Sequence, residues 1–362
     1  MPTLFDPVEM GALALPNRIL MAPLTRGRAT REAVPTPIMA DYYAQRASAG
    51  LIISEATGIS REGLGWPYAP GLWNADQVEG WKPVVAAVHE AGGRIVAQLW
   101  HMGRLVHSNV SGLPAVSASA TTAPSYAHTY DGKKDYPEAL EASVDDIRRI
   151  LDDYANASRN ALAAGFDGVQ IHAANGYLID QFLRDGTNLR TDDYGGPIAN
   201  RIRFMSEVIS AVVSEAGTAR TAIRLSPNGD VQGCHDSDGY SLFTAAATEI
   251  ERHGLPWLEL REPGPQSSFR ATEEPPVSPA IRKSFTGKIV LNSDFDAASG
   301  QAQLDSGVAD AISFGRPFIA NPDLVTRLRD GAALNAWDVR TFYSQGAEGY
   351  TDYPAATEQE AA

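Results

Sequence analysis

Eight short apolar runs recur along the whole chain, and segments with helical periodicity separate most of them. The runs are continuous rather than alternating, which is typical of strands that are covered on both faces. They are RILMAPL (18–24), GLIISEA (50–56), RIVAQLW (94–100), GVQIHA (168–173), TAIRLS (221–226), PWLELR (256–261), KIVLNS (288–293) and ADAISFG (309–315). Strands that alternate with helices over one undivided chain predict an α/β fold, a (β/α)8 barrel of the TIM type.

The helical periodicity predicts helices at 76–91, 144–164, 197–214, 240–253, 296–306 and 321–330. Before the second of these, Ser143 can cap the helix with Asp146 as its capping-box partner, and Gly165 can end it. A doubly wound sheet is the rival fold, and it would normally carry a glycine fingerprint after its first strand if it bound a dinucleotide. The first apolar run leads instead into APLTRGRAT, which contains no G-x-G-x-x-G.

Two segments are too long to be plain connections between barrel elements, residues 101–143 and 262–286. Long ordered loops in a compact domain are usually functional. Both segments follow a strand, so a barrel would place them at its C-terminal end, where the active sites of such barrels form. We expect one domain over residues 1–354 and a disordered tail at 355–362.

Composition and charge exclude several classes of protein. The net charge of −14 and the pI of about 4.9 argue against binding to nucleic acid or to an anionic membrane surface. The single cysteine, Cys234, forms no disulfide and no iron–sulfur cluster within the chain. The start of the chain has no secretory signal pattern, and no apolar run is long enough to suggest a membrane span. We therefore expect a cytoplasmic protein, with no obligate protein partner evident.

Three hydrogen-bonding side chains follow the fourth apolar run within six residues: His172, Asn175 and Tyr177. Taken singly, they suggest a buried histidine, an Asn-Gly turn and a packing tyrosine. Taken together, histidine and asparagine offer two N–H donors without a negative charge, which can stabilise an oxygen that gains charge. A nearby phenol can then deliver a proton. This combination suits an enolate-forming reaction on a carbonyl compound.

The motif FGRPFIANPDL places Gly315 and Arg316 directly after the last predicted strand, and LNSD follows the seventh. In barrels of this type, the loops after strands 7 and 8 often form a phosphate site with a helix N-terminus. Arg316 would add a charge-assisted contact. The sequence holds seven histidines but no H-x-H or H-E-x-x-H pattern, and it has neither a G-x-S-x-G elbow nor a G-x-x-x-x-G-K-[ST] loop. We therefore predict no metal site.

Long motifs of the chain resemble the Old Yellow Enzyme family, and especially its bacterial ene-reductases of the N-ethylmaleimide reductase and pentaerythritol tetranitrate reductase type. They are RILMAPLTRGRA, GLIISEATGIS, QLWHMGR, GFDGVQIHAANGYLIDQFLRDGTNLRTDDYGGPIANRIRF, FGRPFIANPDL and YSQGAEGYTDYP, and the resemblance spans about residues 2 to 354. It implies a TIM barrel with non-covalently bound FMN. It also implies ping-pong hydride transfer from NADPH, or NADH, through flavin N5 to the β-carbon of activated alkenes, namely enones, enals, maleimides and nitroalkenes.

The resemblance also implies roles for individual residues. His172 and Asn175 would bind the carbonyl or nitro oxygen of the substrate, and Tyr177 would protonate its α-carbon. The flavin would be held by Pro23, Leu24, Thr25, Ala56, Gln98, Arg224, Asn292, Ser293, Gly315 and Arg316. The substrate pocket would be completed by Trp66, Tyr68, Trp100, Phe269 and Tyr343. The chain departs from many relatives at LNSD, where they often have glycine, so Ser293 would need to approach the phosphate despite its Cβ.

Three other functions remain open at this point. The same site could serve an FMN-dependent nitroester or nitroaromatic reductase, which only a comparison of substrates separates from an ene-reductase. A flavin-storage protein without turnover would not oxidise NADPH steadily in the presence of an enone. A metal-dependent barrel hydrolase would bind a divalent metal and would lack the absorbance of a flavin.

Overall fold

Eight parallel strands close into a barrel in the computed structural model, which describes residues 1–268 and 270–356. The strands are β1 (Ile19–Met21), β2 (Leu51–Gly58), β3 (Ile95–Trp100), β4 (Gly168–His172), β5 (Thr221–Leu225), β6 (Trp257–Arg261), β7 (Lys288–Asn292) and β8 (Ala311–Phe314). Spatial order follows chain order, and β8 pairs with β1 to close the sheet. The predicted (β/α)8 barrel is confirmed, and each strand overlaps one of the eight apolar runs.

A helix follows every strand of the barrel. These helices are α1 (Pro37–Ala44), α2 (Ala75–Glu90), α3 (Val144–Ala163), α4 (Arg203–Ala216), α5 (Gly239–Arg252), α6 (Ser278–Ser284), α7 (Ala297–Asp305) and α8 (Leu324–Asp330). Shorter α-helices lie at Ser108–Ser111, Leu178–Leu183, Ile198–Arg201 and Arg316–Ala320, and 3-10 turns at Gly103–Leu105, Thr218–Arg220 and Val339–Thr341. The sequence analysis missed α1 and α6, and it joined Ile198–Arg201 to α4 as one helix.

The termini of α3 follow the predicted capping chemistry. Ser143 Oγ accepts a hydrogen bond from the Asp146 amide at 3.1 Å, and Asp146 Oδ2 accepts one from the Ser143 amide at 3.0 Å. Gly165 follows the last turn with a φ of 98°, a left-handed conformation that costs little only for glycine. The helix therefore has a defined start and end, and it packs Ile147, Ile150 and other apolar residues against the barrel.

The two ends of the barrel differ in character. An N-terminal hairpin, Val8–Met10 paired with Leu13–Leu15, closes one end. Its apolar side chains form a buried cluster with Leu20, Val96, Val290 and other side chains of the strands. Burial of such a cluster stabilises the fold by about 25 cal/mol for each Å² of apolar surface removed from water. The strands therefore offer polar chemistry at the opposite, C-terminal end.

The long segment between β3 and α3 forms part of that C-terminal end. Val116–Ser117 pairs with Leu140–Glu141, and between them Tyr126–Thr129 and Gly132–Asp135 form an antiparallel hairpin.

Within the described ranges, no helix combines the length and the apolar character needed to cross a membrane. Of the tail that we expect to be disordered, residues 357–362 lie outside the described part of the chain.

Candidate active site

A cavity of about 440 Å³ opens at the C-terminal end of the barrel. All ten positions that the resemblance assigns to the flavin line this cavity: Pro23, Leu24, Thr25, Ala56, Gln98, Arg224, Asn292, Ser293, Gly315 and Arg316. Five further predicted residues line it as well: Trp100, His172, Asn175, Tyr177 and Tyr343. The fold therefore brings together residues from β2, β3, β4, β5 and β7 and from the loops after β1, β4, β7 and β8.

Two predicted substrate residues do not line the cavity. The Trp66 ring lies behind Tyr343, with 4.9 Å between the ring centroids, and it also contacts His128 of the hairpin. Tyr68 makes an edge contact with Tyr130, the centroids being 5.2 Å apart. Phe269, which was also predicted to line the substrate pocket, lies outside the described residues.

The turn after β4 arranges His172, Asn175 and Tyr177 around one point. Asn175 adopts a left-handed conformation with a φ of 59°, which asparagine tolerates better than most residues. Its backbone N–H donates to Ser226 Oγ at 2.7 Å, and its backbone carbonyl accepts from Gln232 Nε2 at 3.0 Å. These bonds fix the turn, so that Tyr177 starts the helix Leu178–Leu183 with its ring 4.9 Å from that of His172.

The rings of Trp100, His172 and Tyr177 form a cluster on one side of the cavity. The Tyr177 ring meets the Trp100 ring edge-on at a centroid distance of 4.9 Å, and the His172 and Trp100 rings are nearly parallel at 6.4 Å. His172 Nδ1 and Asn175 Oδ1 are buried, and neither has a hydrogen-bond partner among the described residues. Because unpaired buried polar atoms are costly, both side chains are suited to bind a ligand.

Burial controls the charge of these groups. It lowers the pKa of His172 well below the usual range, and the nearby charge of Arg224 lowers this pKa further. Burial also raises the pKa of Tyr177 above the usual range. At neutral pH the site therefore holds a neutral imidazole and a protonated phenol.

The opposite end of the cavity is rich in positive charge. Arg261, the last residue of β6, lines it together with Arg316. Burial and the charge of Arg224 lower the pKa of Arg261 to about 10. Arg316 Nη1 donates to Ser268 Oγ at 2.5 Å, and Ser268 in turn donates to Asp294. Converging arginines of this kind suit an anionic group such as a phosphate.

A C-terminal segment, residues 341–350, supplies two aromatic residues of the cavity, Phe342 and Tyr343. Three buried arginines of the barrel hold this segment mainly by its backbone carbonyls. Arg26 donates to the carbonyls of Phe342 at 3.0 Å and Gly349 at 2.7 Å. Arg28 donates to Phe342 and Thr341, and Arg46 to Tyr350. The segment is thereby fixed over the end of the barrel.

The sequence analysis did not assign several residues that line the cavity: Ala22, Arg261, Ser268, Asp294, Phe295, Phe314, Pro317, Ile319, Trp337 and Phe342. Arg261 is recognisable in the sequence as a polar residue at the end of a strand, where functional residues concentrate, but no role was assigned to it. Trp337 and Phe342 had no such signal, since their approach to the cavity depends on how the C-terminal segment docks.

The residues present fit a flavin nucleotide. Arg224 Nε is buried without a partner among the described residues, although it belongs to a side chain that lines the cavity. The cavity is lined by this arginine, by the amide of Gln98, by the further arginines Arg261 and Arg316, and by apolar residues such as Leu24. A flavin has a polar pyrimidine edge, an apolar ring face and a phosphate, so these features match it part by part.

Comparison with known proteins agrees with this geometry. A family model described as NADH:flavin oxidoreductase / NADH oxidase family matches residues 3–335. An Old Yellow Enzyme homologue from Zymomonas mobilis is 59% identical with a TM-score of 0.97, covering 98% of this chain and 99% of that one. Morphinone reductase is 46% identical with a TM-score of 0.94, covering 99% and 97%. The putative 12-oxophytodienoate reductase 5 of Oryza sativa subsp. japonica is 42% identical over 356 residues, covering 97% and 94%.

The barrel, the cavity and these relatives define an NAD(P)H-dependent flavin oxidoreductase. The chain belongs to the Old Yellow Enzyme family, as the motifs in its sequence predicted. The same comparisons support ene-reductase activity in general terms.

Proposed function

We propose that the protein is an FMN-dependent ene-reductase that uses NADPH to reduce activated alkenes such as enones, enals, maleimides and nitroalkenes. One observation carries this proposal: His172, Asn175 and Tyr177 share a single cavity with all ten positions assigned to the flavin. A structure of morphinone reductase in complex with tetrahydroNAD supports a nicotinamide as the reductant. The acidic net charge of −14 fits a small-molecule enzyme of the cytoplasm that needs neither nucleic acid nor a membrane.

Arg261 and Arg316 line the cavity and suit a phosphate, which favours FMN over riboflavin because riboflavin carries none. Arg316 would hold that phosphate with Ser293 and Gly315, while Thr25, Gln98 and Arg224 would hold the ring system. When bound, FMN would supply the hydride chemistry, accepting a hydride from the nicotinamide and passing it to the β-carbon of the alkene. The protein supplies orientation and electrostatics.

His172 and Asn175 would bind the carbonyl or nitro oxygen of the alkene by two neutral N–H donors. Such donors stabilise the negative charge that develops on this oxygen in the transition state. Tyr177 would hold a proton ready for the α-carbon, since its raised pKa keeps the phenol protonated throughout the neutral range. Trp100 and Tyr343 would enclose the substrate from the sides, with Trp66 supporting Tyr343 from behind.

The charge state of His172 gives a pH prediction. A phenolate mimics the oxygen that gains charge, and we expect it to bind against His172 and Asn175 with a long-wavelength charge-transfer band. Because the pKa of His172 is lowered, its imidazole stays neutral through pH 6.5. The apparent affinity for total phenol should therefore rise with pH only as the phenol ionises, while the affinity for the phenolate form stays constant. Titrations with 4-chlorophenol between pH 6 and 9 test this. Affinity of the phenolate form that increases below pH 6.5 would show a charged histidine instead.

Thr25 gives a prediction about the cofactor. A hydroxyl that donates to a flavin carbonyl stabilises the electron-rich, reduced flavin more than the oxidised form. Thr25→Ala should therefore lower the midpoint potential, by roughly 20 mV if the bond differs by about 1 kcal/mol between the two states. It should also slow flavin reduction by NADPH. Redox titration against reference dyes measures the shift, with Thr25→Ser as the control that keeps the hydroxyl. A potential that rises or stays unchanged would mean that Thr25 makes no such bond.

The visible spectrum of the purified protein tests the proposal as a whole. We expect flavin absorbance, bleaching on anaerobic addition of excess NADPH, and recovery on addition of 2-cyclohexenone. Absence of flavin would refute the assigned cofactor, while bleaching without recovery by enones, enals, maleimides or nitroalkenes would refute the assigned reaction. Recovery with nitroesters or nitroaromatics alone would favour a reductase of nitro compounds.

A further inference from the structure

A buried carboxylate, Glu259 on β6, lies inside the barrel and does not line the cavity. Its Oε1 accepts a hydrogen bond from Ser313 Oγ at 2.6 Å, and its Oε2 accepts one from Gln170 Nε2 at 2.8 Å. Arg224 Nη1 lies 3.6 Å from Oε2. A carboxylate with no exposed surface is costly unless it is paired and hydrogen-bonded, as it is here. The function proposed above leaves this charge without a role.

Hydrogen bonds connect Glu259 to Gln98, which lines the cavity. An ionised carboxylate can only accept, so Gln170 must turn its NH2 group towards Glu259. The Oε1 of Gln170 then accepts from Gln98 Nε2 at 2.8 Å. This bond fixes the Gln98 amide in turn, and no described residue donates to its Oε1. Glu259 therefore determines, through one intervening amide, that Gln98 has a hydrogen-bond acceptor available for a ligand.

A second connection runs from Glu259 to Arg224, which also lines the cavity. Arg224 Nη2 donates to Asn292 Oδ1 at 2.6 Å, while its Nη1 lies beside Glu259. The outer nitrogens of the guanidinium are thus turned to the barrel wall, and the buried Nε is the atom without a partner among the described residues. Asn292 is itself held by a bond from its Nδ2 to the Ser313 carbonyl at 2.9 Å.

We propose that Glu259 is a positioning residue for the flavin, which turns Gln98 to present an acceptor and Arg224 to present its Nε donor. The pyrimidine ring of a flavin offers an N–H donor as well as acceptors, so both contacts have a counterpart on it. With a flavin bound in the cavity, the carboxylate would also add a negative charge to its surroundings, which would oppose the addition of electrons. This inference rests on the proposed function, since it requires a bound flavin.

The midpoint potential of the holoenzyme tests the charge. Glu259→Gln has nearly the same shape but removes the charge, and its amide can face Gln170 with either end. We expect the equilibrium between oxidised and reduced flavin to shift at least tenfold towards the reduced form, a rise of about 30 mV for a two-electron couple. Ser313→Ala is the matched control, because it removes a hydrogen bond to the same carboxylate and keeps the charge. It should shift the equilibrium less than threefold.

The dissociation constant of FMN tests the orientation of Gln98. Gln170→Met cuts the connection and leaves Glu259 beside Arg224, so it should weaken FMN binding at least tenfold. The role of the charge would be overturned if the midpoint potential of E259Q equalled that of the parent. It would also be overturned if Ser313→Ala shifted the midpoint potential as much as E259Q does. If E259Q does not fold, Gln170→Met decides, and unchanged FMN affinity in that variant would overturn the inference. A parent protein that binds no FMN would instead refute the proposed function.

Discussion

Replacing Tyr177 by phenylalanine is expected to slow the reduction of enones by a factor of roughly 10² to 10⁴, the usual loss when a general acid is removed. The phenol stays protonated at neutral pH because its pKa is raised, and its ring packs edge-on against Trp100 and His172. Phenylalanine preserves this ring packing and lacks only the hydroxyl group. FMN binding and flavin reduction by NADPH should therefore remain nearly intact.

Stopped-flow measurement of the two half-reactions separates proton delivery from cofactor placement. Tyr343→Phe is the matched control, since Tyr343 also lines the cavity but is not the assigned donor. In Tyr177→Phe, the reduction of nitroalkenes should slow less than that of enones, because the anion formed from a nitroalkene is stable enough to take its proton from solvent. If Tyr177→Phe slowed flavin reduction as strongly as enone reduction, Tyr177 would be acting through packing, and another group would be the proton donor.

His172→Ala is expected to lower kcat/KM for enones by roughly 10² to 10³, the loss seen when one donor to a developing oxyanion is removed. It should also weaken phenolate binding at least tenfold, because a hydrogen bond to a charged group contributes about 1.5–3 kcal/mol. The reason for both expectations is that His172 lines the cavity and that its buried Nδ1 has no hydrogen-bond partner among the described residues.

Two further variants show whether the effect belongs to the donor itself. His172→Asn restores an N–H donor and should recover part of the phenolate affinity, while Asn175→Ala should cause a loss of the same kind. Flavin content and the rate of reduction by NADPH serve as controls in each variant. Phenolate dissociation constants that are the same in His172→Ala and in the parent would remove His172 from the oxygen site.

The strands of this barrel were predictable because both faces of each are buried, which leaves continuous apolar runs in the sequence. The helices were harder. The periodicity of α3 is long and is bounded by Ser143 and Gly165, whereas α1 and α6 have only eight and seven residues. Short helices present too few turns for an apolar stripe to stand out, and tertiary packing rather than propensity forms them. The helix α8 also has seven residues, and it was predicted because it follows directly on the motif FGRPFIANPDL.

The candidate site shows the same division. His172, Asn175 and Tyr177 lie within one turn, so their meeting follows from local sequence once the strand is recognised. The position of Trp66 behind Tyr343 could not be predicted from local sequence, because it depends on a contact between segments that are far apart in the chain. The hairpin at 126–135 was also missed, although Asp131-Gly132 is a turn signal. Its strands are largely exposed, so they carry no run of apolar residues that would predict them.

Arg26, Arg28 and Arg46 hold the C-terminal segment in a way that affects which of its positions can be exchanged. They bind mainly carbonyl oxygens, which every amino acid carries, so the path of the segment depends little on the identity of its side chains. Tyr343 lines the cavity and is 52% exposed, and its side chain meets the rest of the fold through the rings of Trp66 and Phe342. Under the proposed function, point mutations at this rim would therefore change the substrate preference while the path of the C-terminal segment is kept.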